Sequence, residues 1–318
     1  MDTKQSQEHP LRWSRLKKNV AAVGTFDGPH LGHIAVFDRI RELKEELGLD
    51  SFIYTFENHP LSVLKPECAP KWTSDRSYQI YDVMNRYVDY VDVVKFDREL
   101  ARKTAGDFLA MFHYNYMVDH LVMGYDNTLG SDGLVTREEY EEIAKVIGIK
   151  LHFVEPVYSA DGLPISSSRI RKEIASGNVE KAVELLGRPP VYRGKIVEGR
   201  HLGRTLGFPT MNIVIDDDLI DLPDGVYAAR FLLEGSNNLA VLSVGNNPTV
   251  SDSSKRTYEL HVITRSYEDS DKFRNFYARE IQFSVSRRIR DIRKFDSIDE
   301  LKAAIQADID NVKTYRRP

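Results

Sequence analysis

Two histidines, His30 and His33, stand three residues apart in "GTFDGPHLGH", with Gly32 between them, directly after the apolar run "NVAAV". The chain has only nine histidines in 318 residues, so a pair at a strand-to-helix transition asks for a chemical reading. Gly24 ends the apolar run and an Asp-Gly turn follows at Asp27-Gly28. Three apart on a helix, both imidazoles fall on one face and can reach one ligand. In either protonation state an imidazole keeps an N–H to donate to phosphate oxygens or to charge developing in a transition state. Gly32 removes a side chain and lets a phosphate approach the backbone. Taken alone, the pair also fits a polar helix cap. A zinc site would need a third ligand, which the sequence does not offer at a suitable spacing.

Three further stretches carry polar chemistry. In "ISSSRIRKEIASG", residues 165–177, three serines precede a helical pattern and Arg171 lies one turn inside it. The hydroxyls of Ser167 and Ser168, the exposed N–H groups of a helix start and a guanidinium make an anion cradle; plain N-caps are the alternative. "GRHLGRTLGFPTMNI", residues 199–213, is glycine-rich, with Gly199, Gly203 and Gly207 permitting turns that wrap a phosphate and Arg200 and Arg204 supplying charge. Thr210 and Asn212 are two apart, so on a strand their oxygens share a side, and neutral oxygens suit a Mg²⁺ held mostly by substrate phosphates. A glycine-rich hairpin with polar surface residues is the alternative. "YELHVI" places Glu259 and His261 on one strand face; a carboxylate at an active site can act as general base for an alcohol, though a lone E-x-H in a strand also describes ordinary surface. Neither G-x-x-x-x-G-K-[ST] nor G-x-G-x-x-G occurs, which excludes the usual P-loop and dinucleotide-fold ways of holding ATP.

The elements that must position these residues have two rhythms. From 19 to about 157, "NVAAVGTF", "SFIYTF", "VDVVKF", "HLVMGY" and "KLHFVEPV" alternate with amphipathic helical patterns. Such near-continuous apolar runs predict strands buried on both faces of a parallel, doubly wound α/β sheet. Between the first two, Val36, Phe37, Ile40, Leu43 and Leu47 repeat at helical spacing and Gly48 can end the helix. After residue 190 come short strand-like runs with turns between them: "YRGKIVEG", "TMNIVI", "GVYAARFLLEG", "NLAVLSVG", "TYELHVIT" and "EIQFSVSRRIR". Their spacing predicts a compact antiparallel barrel or sandwich. The closing helix starts at a Ser297–Glu300 capping box and carries an apolar stripe read as packing on the barrel. The domain boundary is read near "LLGRPPVYRG", where a helix stops at Gly187 before two prolines.

The length allows two domains, each with a core of its own. A net charge of -4 does not suggest a chain that coats nucleic acid. The single cysteine, Cys68, excludes internal disulfides and multi-cysteine zinc sites and points to a reducing, cytoplasmic setting. No run reaches the length of a membrane span, and residues 1–20 are polar, unlike a signal peptide.

"GTFDGPHLGH" carries the H-x-G-H signature of the nucleotidyltransferase superfamily, and "ISSSRIR" resembles its I-S-S-T-x-I-R motif, with Ser168 where threonine is usual. Further on, "GRTLGFPTMN", "DGVYA", "VGNNPTV", "ELHVI", "NFYAREI", "RRIRDIRKFDSIDEL" and a late Asp308 occur in order and resemble the flavokinase module. Together, from about 19 to 313, the chain resembles the bacterial bifunctional riboflavin kinase/FMN adenylyltransferase family, the prokaryotic FAD synthetases. The resemblance implies an adenylyltransferase domain over 1–186, a Rossmann-like α/β fold. It implies a riboflavin kinase domain over 187–318, a six-stranded antiparallel β-barrel with a C-terminal helix. ATP, riboflavin and FMN would be the substrates and Mg²⁺ the cofactor, with no nucleic-acid or membrane partner; the oligomeric state stays open.

By the same resemblance, Glu259 deprotonates the 5′-hydroxyl of riboflavin and Thr210 and Asn212 hold Mg²⁺. Gly199, Arg204, Gly207, Pro209, Asn247 and Arg290 line the ligands of the kinase site. His30 and His33 stabilise attack of FMN on a second ATP, with Gly24, Phe26, Asp27, Gly32, Ser167, Ser168 and Arg171 around them. His59, in "TFENHP", and Asp126, in "MGYDNTLG", lie about the nucleotide and flavin. Several positions depart from the pattern. Asn127 and Leu129 replace two phenylalanines and Asn58 a common proline, which implies an altered flavin pocket in the first domain. His201, Ala278 and Ile292 depart in the kinase. The competing readings are a single retained activity, with the kinase the better preserved, or a flavin-binding regulatory protein.

Overall fold

The apolar runs of the first half form five strands, β1 (Asn19–Val23), β2 (Asp50–Phe56), β3 (Tyr90–Val94), β4 (Val118–Gly124) and β5 (Lys150–Val154). They pair in parallel in the order β3-β2-β1-β4-β5. The computed structural model describes residues 18–198, 203, 206–233, 236–246, 256–264 and 279–314. Every residue of β1 is buried because the sheet is covered twice. On one face Val20, Ala22, Ile53 and Val122 meet Val36, Phe37 and Ile40 of helix α1 (Leu31–Leu47). On the other, Ala21, Val23, Phe52, Leu121 and Met123 meet Phe108, Leu109 and Phe112 of α2 (Ala105–Tyr116) and Tyr140 of α3 (Arg137–Ile147). Burial on both faces is what removes the polar alternation from these strands.

The runs after residue 190 become β6 (Val191–Val197), β7 (Met211–Ile215), β8 (Gly225–Leu233), β9 (Ser236–Asn246), β10 (Arg256–Val262) and β11 (Glu280–Arg290). They close as an antiparallel barrel in the order β10-β7-β6-β11-β8-β9. Large aromatics fill it: Tyr192, Tyr227, Tyr258, Phe231 and Phe283 are fully buried. Burial keeps the Tyr258 phenol neutral, and its oxygen accepts from the Leu222 N–H at 3.1 Å. The closing helix, Ile298–Thr314, sets Ile309 and Val312 against Val226, Ala228 and Val241 on the outside of the wall. Ser297 Oγ accepts from the Glu300 N–H as expected, but the Glu300 carboxylate returns to the Asp296 N–H rather than to that of Ser297.

The chain divides into two compact units, Met1–Pro70 with Ser77–Ile165, and Lys71–Arg76 with Ser166–Pro318. Gly187 does end a helix, in a left-handed C-cap, yet the boundary read at 186/187 falls inside the second unit. Helices α4 (Ser167–Ala175) and α5 (Val179–Leu186) pack on each other and α5 packs on β11. Lys71–Arg76 is bonded into the same unit: the Trp72 N–H donates to the Asp218 carbonyl, and Ser74 Oγ and the Val191 backbone exchange two hydrogen bonds. A helix stop marks the end of local structure, while a unit ends where contacts thin out.

Candidate active sites

Strand order reverses beside β1, so the loops after β1 and β4 flank the switch-point crevice where open α/β sheets bind ligands. The β1 loop is held at its root by Thr55, whose Oγ1 donates to the carbonyls of Gly24 and, more weakly, Thr25. Phe26 then takes φ 45°, a left-handed backbone unusual for an aromatic residue. Its ring lies over Gly24, where a Cβ would come within 3.1 Å of it, so a side chain at 24 would displace the ring. The same ring packs edge-on against His33 at 5.2 Å and against Phe37 at 5.0 Å. Asp27 is buried and accepts from Gln79 Nε2 at 3.3 Å. Gln79 opens a π-helical turn over Gln79–Val83, a feature that often marks functional positions.

His30 is the N-cap of α1 rather than part of it, with φ −76° and ψ 173°. Its Nδ1 accepts from the His33 N–H at 3.3 Å, which puts the proton of a neutral ring on Nε2. The two rings stack at 3.6 Å with 19° between their planes. The cap reading and the ligand reading are therefore compatible: one imidazole nitrogen caps the helix and the other is a donor at its positive end. A Cβ on Gly32 would press on the His30 ring at 3.1 Å.

Asp126 follows β4, and the hydroxyl of neighbouring Tyr125 is pushed to a higher pKa by burial and the Asp126 carboxylate. Asn127 donates from Nδ2 to the Val23 carbonyl at 2.7 Å, tying the β4 loop to the end of β1 across the switch point. Leu129 is 7% exposed and belongs to the α2–α3 core, with its backbone held by the Tyr140 hydroxyl. Position 129 is thus a core position in this fold. Asn58 exchanges two side-chain hydrogen bonds with the Phe96 backbone, neither of which a proline side chain could form. His59 Nδ1 accepts from the Leu61 N–H at the short helix Leu61–Leu64.

In the second unit, α4 starts at Ser167, two residues earlier than three preceding serines would require. Ser166 alone is the N-cap, its Oγ accepting from the Arg169 N–H, and Ser167 and Ser168 sit in the first turn. Arg171 donates from Nη1 to Ser168 Oγ at 3.4 Å and from Nε to the Lys71 carbonyl at 3.2 Å, which fixes the guanidinium beside the helix start.

The barrel wall carries the second arrangement. Along β10, Tyr258, Leu260 and Val262 are buried while Glu259 and His261 are half-buried on the alternate, outer face. Glu259 stands opposite Asn212 of β7 on one side and opposite Ser243 of β9 on the other. The row Asn212–Glu259–Ser243 thus joins residues remote in sequence. Ser243 carried no sequence signal, because only the β9–β10 register reveals it. Gly203 lies against the end of the glycine-rich loop: its carbonyl accepts from the Phe208 N–H, and a Cβ there would meet the Phe208 carbonyl oxygen at 2.3 Å and Thr210 Oγ1 at 3.1 Å. His261 Nδ1 bonds to the Pro209 carbonyl at 2.8 Å, and burial lowers its pKa below the ordinary imidazole value. Arg290 is gripped by Asp308 of the closing helix, Nε and Nη2 reaching the carboxylate at 3.0 and 2.7 Å. Ile292 is exposed beyond β11. Gly199, Arg200, His201, Arg204, Asn247 and Ala278 lie outside the described residues.

Comparison with known proteins gives these arrangements a family. The family model for FAD synthetase matches residues 13–169, and that for riboflavin kinase matches 186–316. A bifunctional riboflavin kinase/FMN adenylyltransferase of Bacillus subtilis is 32% identical over 94% of this chain and 93% of its own. One from Escherichia coli is 31% identical over the same shares. A crystal structure described as a macrolide-efflux protein from Streptococcus pneumoniae superposes with a TM-score of 0.83, at 28% identity and over 96% of this chain and 97% of that one. Among the described residues no helix is long and apolar enough to cross a membrane. With an H-x-G-H helix start on the parallel sheet, a carboxylate row on the barrel and both family models matched in order, the chain belongs to the bifunctional riboflavin kinase/FMN adenylyltransferase family.

Proposed function

We propose that the chain makes FAD in two ATP-dependent steps, phosphorylation of riboflavin to FMN within 187–318 and adenylylation of FMN within 1–186. What carries the reading is the presence in one chain of two unlike polar arrangements, stacked imidazoles at a helix start on the switch point and a carboxylate row on a barrel wall. In the kinase step Glu259 takes the proton of the 5′-hydroxyl as its oxygen attacks the γ-phosphorus, and ADP leaves. A hydroxyl at Thr210 and a carboxamide oxygen at Asn212 are hard donors that fit Mg²⁺. When bound, the ion would neutralise phosphate charge, and most of the catalysis would be positioning.

In the second step an FMN phosphate oxygen attacks the α-phosphorus of ATP and pyrophosphate leaves. His30, through Nε2–H, and His33 donate to the charge that develops. Ser167, Ser168 and Arg171 bind phosphate oxygens. The protein acts on small molecules without a nucleic-acid partner, in the cytoplasm; the acidic net charge and the exposed free thiol of Cys68 support this setting.

The test incubates the full chain with riboflavin, ATP and Mg²⁺ and resolves the flavins by chromatography. FMN should appear first and FAD with pyrophosphate after it. FMN that never proceeds to FAD would remove the second activity, and ligand binding without turnover would leave a flavin-binding regulator.

A further inference from the structure

We propose that His261 is a positioning residue for riboflavin phosphorylation, holding the Pro209 carbonyl so that the Phe208–Asn212 segment presents Thr210 and Asn212 beside Glu259. The inference rests on the assignment of those three residues to the phosphoryl-transfer site. The ladder between β10 and β7 runs through Tyr258–Ile213, Glu259–Asn212 and Leu260–Met211. Two residues further along, Pro209 has no N–H, so the backbone has no donor there to continue it. At that point the His261 side chain takes over, its ring nitrogen 2.8 Å from the Pro209 oxygen. A carbonyl only accepts, so Nδ1 must carry the hydrogen.

His261 is itself well anchored, since β10 stays paired with β9 through His261–Val241 and Val262–Ala240. A rigid pair of strands therefore reaches across to the end of a loop. Phe208 packs edge-on against the imidazole at 5.8 Å. From another side, the Gly203 carbonyl accepts from the Phe208 N–H at 2.8 Å. Two hydrogen bonds, one from a side chain and one from the backbone, thus clamp the tripeptide that ends in Thr210. A histidine serving only barrel packing would be expected on the inner face with Tyr258 and Leu260. His261 instead shares the outer face with Glu259.

The experiment compares His261→Leu, His261→Asn and wild type as full chains, by hydrogen exchange of peptides covering 203–212 and 240–246 and by steady-state kinetics of both steps. Leucine removes the donor, and the asparagine amide can replace the one at Nδ1. His261→Leu should exchange faster by ~10-fold or more in 203–212 and not in 240–246. Its kcat for phosphorylation should fall about 100-fold, the scale expected when a catalytic group is misplaced by about 1 Å. The KM for riboflavin and the conversion of supplied FMN to FAD should be unchanged. His261→Asn should recover to within about fivefold of wild type, since it restores the held geometry.

Wild-type exchange and kcat in His261→Leu would overturn the proposal. So would faster exchange throughout the barrel, which would make the residue a general stabiliser. Equal loss in both variants with unchanged exchange would also overturn it, because the ring would then be acting on the reaction directly. Thr210→Ala and Asn212→Ala run alongside: if both phosphorylate riboflavin normally, the site assignment fails, whatever the exchange data say about the clamp.

Discussion

At the sheet, the groups proposed to meet phosphate come from one short turn, residues 24–33, whereas the barrel assembles its row from Asn212, Ser243 and Glu259 on three strands. The first arrangement is stabilised by the same residues proposed to do its chemistry: His30 caps α1 through Nδ1 and stacks on His33. Losing it should cost stability as well as rate. In the barrel the two burdens fall on different residues. Glu259 and Asn212 face outward, while Tyr192, Tyr258 and Phe283 fill the interior and Arg290–Asp308 secures the closing helix. A turn-based site therefore couples function to local folding, and a register-based site separates them.

The largest effect that can break this contrast is at Glu259. Glu259→Gln should lower phosphorylation of riboflavin by ~10²–10⁴-fold, the range for a general base, and leave both the unfolding midpoint and FAD formation from FMN unchanged. A large loss of stability would contradict the separation claimed for the barrel.

Next come the histidines. His33→Ala should reduce adenylylation of FMN by roughly 10²–10³-fold, as for loss of a transition-state donor, with phosphorylation intact. His30→Ala should show a similar rate loss and also lose about 1 kcal/mol of stability with the N-cap, whereas His30→Asn should lose the rate and keep the cap. Equal stability of the two His30 variants in urea unfolding would break the claimed overlap of cap and catalyst.

Asp308→Asn sharpens the barrel side. Its carboxylate receives Nε and Nη2 of Arg290 and is 5% exposed. Removing the charge should shift the urea midpoint by about 2 kcal/mol of stability with an unchanged slope, and affect riboflavin phosphorylation far less than Glu259→Gln does.

The smallest effect probes the sheet away from either arrangement. His120 and His152 on β4 and β5 meet at 2.9 Å. Burial lowers both, His152 to about 4, with the neighbouring imidazole and the Arg39 and Lys150 charges adding to the shift. Because the unfolded chain takes up these protons at higher pH than the folded one, stability should fall as pH drops from about 6.5 towards 4. Both rings are partly open to water, so screening leaves an effect on the order of 1 kcal/mol. His152→Gln should flatten that part of the stability–pH curve; an unchanged slope would show that the pair does not titrate as described.

Legibility follows the same division. The five parallel strands and α1 could be read because burial on both faces and a 3.6-residue stripe leave local patterns, and Gly48 ends the helix as expected. His30, His33 and Gly32 were readable because a helix start brings neighbours in sequence together. Gln79 was not, since its contact with Asp27 spans 52 residues and depends on a π-helical turn. Leu129 looked like a change in a pocket, but nothing local tells a core-facing loop residue from a ligand-facing one. The place of Lys71–Arg76 in the second unit was not legible for a similar reason: its hydrogen bonds to Asp218 and Val191 leave no mark near residue 71.

By itself, the sequence determined the two kinds of fold, the strand and helix periods, the residues with suitable chemistry and the order of the two modules, all of which follow from short-range pattern and residue type. Tertiary structure alone decided the partners. It set Glu259 between Asn212 and Ser243, locked Arg290 to Asp308 and gave one nitrogen of His30 to the helix cap. Barrel closure and strand register pair residues by position in space, and spacing along the chain does not encode that pairing.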